Sequence, residues 1–357
     1  MILNGSSQRP WIVVIGGFLG AGKTCLIHAA AQHLQQRGMR AVAILNDQGE
    51  ELVDTRMTWQ YGFVAREVTG GCFCCRYSAL LSAIEEAHAL EPDVIFAEPV
   101  GSCTDISATV LNPLREELHR YRLAPYTVLI DPDRYRELLR ADADQDMAYL
   151  FHNQVREADL ICYSKSDLYP EITEIAGTAA RQLSSRTGQG VTEWLDEILS
   201  GTLETGRTTL VIDYARYAQA EASLAWMNAS FVFEPQSPLS TAQVVGPLLD
   251  VLDDALSKAD IGIVHLKIFD STSQGWLKAA LCKNHEEPQI EGDLIGSPAS
   301  RHELLLNLRA KGEPMLVQQI MASHIRELKG DVSGLHIHCF SPAPPQPERR
   351  IQRAPSL

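Results

Sequence analysis

Residues 11–27 read WIVVIGGFLGAGKTCLI, an apolar run that breaks into glycines and resumes with helical composition. The break has a fixed spacing: Gly17, four residues, then Gly22-Lys23-Thr24. This is a phosphate-loop pattern in the setting such a loop requires, a strand before it and a helix after it. Backbone N–H groups of the turn cradle a β-phosphate, helped by the positive end of the helix. Gly17, Gly20, Ala21, Gly22, Lys23, Thr24 and Cys25 are therefore expected to line a nucleotide. Lys23 should reach the β- and γ-phosphates, and Thr24 should ligate Mg²⁺.

The loop constrains what surrounds it. AVAILN (41–46), DVIFAE (93–98), YTVLID (126–131) and ADLICYSK (158–165) read as further apolar strands, separated by helical stretches at 77–90, 132–140, 147–157 and 191–200. Alternating strands and amphipathic helices give a mostly parallel sheet with helices on both faces. Residues 47–71 show no clear period and read as loop-rich. The fold class is thus α/β, a P-loop NTPase domain over 1–205.

Beyond it the pattern changes. Strands at 222–235, 261–270, 275–284, 300–310 and 334–341 lack long helices between most of them, and helices are expected over 240–257 and 313–328. This reads as a smaller C-terminal α+β domain, 206–341, with a mostly antiparallel sheet. The stretch 342–357, PAPPQPERRIQRAPSL, is Pro-rich and basic and reads as a disordered tail.

Candidate chemistry follows the strand ends. Glu98 closes the third strand, where a carboxylate can hold Mg²⁺ directly or through water, or polarise the attacking water. Lys23 and Glu98 are the catalytic candidates. Gly101 could offer its N–H to a γ-phosphate. After the strand ADLICY comes Ser164-Lys165-Ser166-Asp167. Asp167 there could accept from guanine N1–H and N2–H, with the Lys165 stem over the base. Ser184 and Ser185 stand where a backbone N–H could meet guanine O6.

The stretch GGCFCC places Cys72, Cys74 and Cys75 within four residues, after Gly70-Gly71. Soft thiolates suit Zn²⁺, and the glycines let the chain bend around an ion. Three protein ligands leave one tetrahedral position, with Glu50, Cys103 or water as candidates to fill it. An open position suits transfer of the ion. The alternative is a structural or redox thiol set. His336 and His338 share one side of a strand and could share a metal, or could simply be polar side chains on a half-exposed strand.

Bulk properties exclude other classes. A net charge of −14 argues against a broad nucleic-acid surface. No apolar run approaches the ~18–20 residues of a membrane helix. The first residues lack the basic and apolar regions of a secretory signal. The expected location is the cytosol, where 8 cysteines should not form a disulfide framework.

Together GGFLGAGKT, GGCFCC, EPVGS, SKSD and TGQGVTEWL resemble the CobW-like GTPases of the metallochaperone group, related to the hydrogenase and urease nickel-insertion GTPases. The resemblance covers the first ~200 residues, and GGCFCC is its most specific element. It implies GTP and GDP as ligands, Mg²⁺ as cofactor, and Zn²⁺ or Co²⁺ as cargo on the Cys-x-Cys-Cys motif. It implies slow, regulatory hydrolysis that governs delivery to a client metalloprotein. Homodimerisation is left open, and neither nucleic acid nor membrane is expected as a partner. Ser164 stands where the family carries Asn, and Asp47 where it carries Glu. A second reading is a nucleotide switch serving a corrinoid or other cofactor enzyme, with the cysteines structural or redox-active.

Overall fold

The computed structural model describes residues 9–49, 52–117, 119–171, 174–175 and 178–352. Its first strand is β1 (Trp11–Gly17), buried along its whole length. It is followed by α1 (Lys23–Gln36), β2 (Ala41–Asn46), α2 (Val53–Gln60), β3 (Val64–Val68), α3 (Tyr77–His88) and β4 (Val94–Glu98). A π-helical turn (Ser107–Leu111) runs into α4 (Asn112–Leu114). Then come β5 (Arg122–Leu123), β6 (Thr127–Ile130), α5 (Pro132–Leu138), α6 (Gln145–Glu157) and β7 (Leu160–Tyr163). The short strands β8 (Glu174–Ile175), β9 (Thr178–Ala179) and β10 (Arg181–Gln182) precede α7 (Val191–Ile198).

The strands form one parallel sheet in the order β10-β7-β6-β1-β4-β2-β3, with β5 also on β1. Its inner strands are apolar on both faces, as a sheet covered by helices requires. The register puts Leu45 beside Glu98, Asn46 beside Val68 and Gly17 beside Leu129. The carboxyl ends of β1, β2, β4, β6 and β7 therefore deliver the phosphate loop, Asn46, Glu98, Asp131 and Ser164 to one edge. In open α/β sheets that edge is where ligands bind.

Residues 47–71, expected to be loop-rich, contain α2 and the edge strand β3. The α2 sequence buries Val53, Thr55, Met57 and Thr58, so half of its inner face is threonine and the apolar period is hidden. In VAREV only Ala65 and Val68 are buried, too short an alternation to stand out.

The chain divides into two compact units. The first comprises residues 1–48, 54–217 and 345–357, and the second 49–53 and 218–344. Across the second division runs α8 (Tyr214–Ala222), which the sequence reading lacked. After it come β11 (Leu224–Pro235), α9 (Thr241–Lys258), β12 (Gly262–Thr272), β13 (Gly275–Leu281), β14 (Gln289–Gly292), β15 (His302–Lys311), α10 (Pro314–Arg326) and β16 (Gly330–Phe340). These strands make an antiparallel sheet ordered β14-β13-β12-β15-β11-β16. Alternate residues of β11 (Met227, Ala229, Phe231, Phe233) pack with Leu248 and Leu252 of α9 and Val317 and Met321 of α10. The start of α9 is fixed by a capping box between Ser240 and Gln243. On the edge strand β16, His336 and His338 are both exposed, and the His338 ring stacks on Phe340 at 4.9 Å.

The tail differs from its sequence reading. Residues 345–352 lie against the first unit, and named hydrogen bonds fix them there. Proline content suppressed helix and strand, yet it also restricts the chain to extended forms that dock at little entropic cost.

Candidate nucleotide and metal site

The phosphate loop closes tightly, with Ala21 N–H donating to Phe18 O at 3.1 Å. Gly22 is the N-cap of α1, at φ 88°, and it brings no side-chain cap to the helix. A helix start without a side-chain cap suits an anionic ligand. A Cβ on Gly22 would meet nothing within 4 Å, so the loop opens onto free space. Lys23 Nζ donates to Gly17 O at 3.0 Å and lies 3.8 Å from Glu98 Oε1. Thr24 Oγ1 donates to Glu98 Oε2 at 2.9 Å. All three side chains are buried. A hydroxyl and a carboxylate meeting beside a cationic lysine form a donor set that fits a hard cation and a polyphosphate. Thr24 and Glu98 would hold Mg²⁺, which supplies charge neutralisation on the phosphates. Cys25 follows, half-buried, in the first turn of α1.

The loop after β4 lies against this turn. A Cβ on Gly101 would come within 2.7 Å of Leu19 Cδ2 and 3.2 Å of Leu19 Cα, so only glycine allows the approach. Gln154 of α6 clamps the loop, its Nε2 donating to Gly101 O at 3.0 Å and Cys103 O at 2.9 Å.

On the base side, Lys165 adopts φ 56° and its Nζ bonds Asp131 Oδ2 at 2.5 Å. Asp131 also caps α5, accepting from Asp133 N–H at 2.9 Å. Asp167 is exposed. Ser164 is buried and turns back to its neighbouring strand, its N–H and Oγ both donating to Ile130 O at 3.0 and 3.3 Å. The two serines expected at guanine O6 separate. Ser184 N–H already donates to Gln189 O at 3.0 Å, and its hydroxyl takes Thr187 N–H at 3.2 Å. Ser184 therefore closes the 184–189 turn, with its amide and hydroxyl both engaged there.

The three cysteines converge. Sγ separations are 2.8 Å for Cys72–Cys74, 3.3 Å for Cys72–Cys75 and 3.6 Å for Cys74–Cys75. Cys72 is 3% exposed and Cys74 1%, while Cys75 is half-buried. Among the described residues they form a set that could hold a metal ion. The Cys103 thiol, 1% exposed, is hydrogen-bonded to both Cys72 and Cys74. Hydrogen bonds from Cys103, Cys74 and Cys75 pull Cys72 well below the usual thiol range. The same sharing pushes Cys74 up, and the bond to Cys72 pushes Cys75 up to about 11. The cluster thus accommodates one negative charge readily and resists a second until a cation compensates it. Glu50, the other protein candidate for the fourth position, lies outside the described residues.

Two further parts hold this loop. Asn46 bridges β2 to it: Nδ2 donates to Val68 O at 2.7 Å and Gly71 O at 2.8 Å, and Oδ1 accepts from Phe73 N–H at 2.8 Å. The C-terminal segment crosses over it. Gln346 N–H donates to Cys75 Sγ at 3.1 Å, and Glu348 N–H to Cys74 O at 3.0 Å. The Glu348 carboxylate accepts from Ser78 N–H and hydroxyl, and Arg350 pairs with buried Asp105 at 2.7 Å.

A family model described as the CobW/HypB/UreG nucleotide-binding domain matches residues 11–192. The chain belongs to the CobW/HypB/UreG family. It is 27% identical over 180 residues to the zinc chaperone YjiA of Escherichia coli (strain K12), covering 48% of this chain and 54% of that protein. To the zinc chaperone YeiR of the same organism it is 27% identical over 161 residues, covering 43% and 46%. The chain thus spans about half the length of these two relatives. A solved Zn(II)-bound YjiA GTPase from E. coli is 18% identical, covers 88% of this chain and 99% of that chain, and has a TM-score of 0.36.

Within this CobW/HypB/UreG chain, several residues escaped the sequence reading. Asp131 and Gln154 act through a lysine and two carbonyls, with no motif around them. Asn46 was a candidate with Asp47, Glu50 and Asp54 for a switch loop after β2, each as open to a solvated as to a functional role, and its bonds to Val68, Gly71 and Phe73 give it a structural task. The phosphate-loop pattern and the cysteine cluster were legible from their spacing, and the structure brings the three sulphurs together.

Proposed function

We propose that this chain binds and hydrolyses GTP with Mg²⁺, holds a divalent thiophilic metal on Cys72, Cys74 and Cys75, and passes it to a client metalloprotein under nucleotide control. The observation that carries this reading is the meeting of three sulphurs in a loop tied by Asn46 to the end of β2, beside the strand that presents Glu98. Zinc is the first candidate: thiolates favour it, and both curated relatives are named zinc chaperones. Cobalt is the second.

Lys23 neutralises charge on the β- and γ-phosphates. Thr24 and Glu98 would hold Mg²⁺, and Glu98 would also orient the attacking water. Gly101 offers its N–H to the γ-phosphate, so loss of that phosphate releases the loop after β4. Lys165 lies along the guanine, Asp167 accepts from its N1–H and N2–H, and the Ser185 N–H meets O6. Hydrolysis is slow and serves as a timer.

Burial of Cys72 and Cys74 favours a second reading, a structural zinc site in a nucleotide switch that serves a cofactor enzyme. Chelator competition separates the two. Reduced, metal-free protein is titrated with Zn²⁺ and Co²⁺ without nucleotide, with GDP and with a non-hydrolysable GTP analogue, beside a Cys72/Cys74/Cys75→Ser variant. Tight binding that vanishes in the variant and shifts between nucleotides supports cargo. Binding that ignores nucleotide supports the structural site, and binding that survives the variant excludes both.

A further inference from the structure

The stretch from Glu98 to Asp105 carries more than nucleotide contacts. Glu98 meets Thr24, Gly101 packs on Leu19, and Asp105 holds Arg350 of the C-terminal segment. Between them, Cys103 turns its thiol inward to Cys72 and Cys74. Its position is set by the backbone: Cys103 N–H donates to Val100 O at 2.9 Å, and Gln154 holds its carbonyl. This sulphur is a fixed neighbour of the cluster, delivered by a different loop.

The geometry fits a closed thiolate site. A tetrahedral Zn–S bond of ~2.3 Å puts sulphurs roughly 3.8 Å apart. The cluster separations of 2.8, 3.3 and 3.6 Å need only modest spreading around an ion. Cys103 neighbours Cys72 and Cys74 but lies outside the set of three whose sulphurs are all within 4.8 Å of one another, so it would have to close toward Cys75 to complete the shell. Each joining thiol gives its proton to solvent, so the cation replaces the protons that the sulphurs share.

We propose that Cys103 is the fourth ligand of the metal site, so that a thiophilic divalent cation is held by four sulphurs from two loops, and that nucleotide-dependent movement of the 98–105 loop withdraws it. The inference rests on the metal-carrier reading above and adds how the ion is released. Four thiolates retain the ion. Withdrawal of one opens the coordination position that a client ligand enters.

The test counts sulphurs. Full-length reduced protein is loaded with Zn²⁺ for X-ray absorption at the zinc edge and with Co²⁺ for its thiolate charge-transfer band, in GDP and in the GTP analogue. Wild type, Cys103→Ser and Cys72→Ser are compared, with thermal melting as the check on folding. The expected result is four sulphurs in wild type in one nucleotide state, three in the other, and three in Cys103→Ser in both. Affinity in that variant should fall by roughly tenfold or more, since even outer contacts to a metal site carry that much. Three sulphurs in every wild-type state, or a Cys103→Ser spectrum equal to wild type, would overturn the assignment and leave the carrier reading standing. Four sulphurs in both states would keep the ligand and overturn its withdrawal. If wild type binds no metal in either state, both readings fail. The wild-type absorption spectrum decides even if Cys103→Ser does not fold.

Discussion

At the end of β2 the Asn46 side chain is both donor and acceptor, spanning Val68, Gly71 and Phe73. Asn46→Asp tests that division of labour. It keeps the acceptor for Phe73 N–H but turns an oxygen toward two carbonyls in a buried place. A hydrogen bond lost with desolvated partners costs about 1–3 kcal/mol each, so chemical denaturation should show a loss of that order, with weaker Zn²⁺ binding. Glu98 tests the other end of the site. Glu98→Gln should lower GTP turnover by roughly 10²-fold or more, the scale of a lost acid–base or metal-holding group, while displacement of fluorescent GDP changes little. Phosphate release measures the first and fluorescence the second. The place of Glu98 at a strand end facing the phosphate loop was readable from the sequence. Asn46 could be read only as one of several polar candidates after β2, because an amide's role depends on which carbonyls surround it.

Among the elements, the C-terminal segment departs furthest from its composition. Its prolines read as disorder, but main-chain groups of Gln346, Glu348 and Ile351 and the side chains of Glu348 and Arg350 tie it to the first unit. Ending the chain at Pro344 should raise the rate at which Cys75 reacts with a disulfide reagent several-fold, because the Gln346 N–H and the chain above the sulphur are both removed. Arg350→Ala, which leaves buried Asp105 without its cation, should give an intermediate rate. An unchanged rate in both would mean that the segment does not shield the thiol in solution. The helix α1 is the opposite case. Its start without a side-chain cap could be read directly from Gly22-Lys23-Thr24, because a phosphate loop places glycine where a capping side chain would otherwise stand.

At the scale of the whole molecule, stability has a built-in pH dependence. Glu157, at the end of α6, is fully buried, accepting from Thr104 Oγ1 at 3.1 Å and Ser107 N–H at 3.0 Å. Burial raises its carboxyl from 4.5 to about 8. The folded state therefore keeps a proton that the unfolded state has lost, and stability falls as pH rises from about 4.5 to about 8. Glu157→Gln should flatten that slope in denaturant melts across the range and be the more stable protein at its upper end. Its amide can place oxygen on Ser107 N–H and NH₂ on the Thr104 hydroxyl.

The path of the chain through its two units carries one more consequence, for anyone who would cut the gene. Residues 49–53 count with the second unit, where Val53 N–H donates to Asn307 Oδ1 at 3.0 Å, and 345–352 return to the first. A fragment ending at residue 217 would keep Val53 without Asn307 and lose the segment above Cys75. The remaining piece would carry that segment with nothing to bind. Chimaeras between relatives would have to exchange residues 49–53 together with 218–344, and keep 345–352 with the cysteines it covers. Inheritance, like expression, would then act on the whole reading frame.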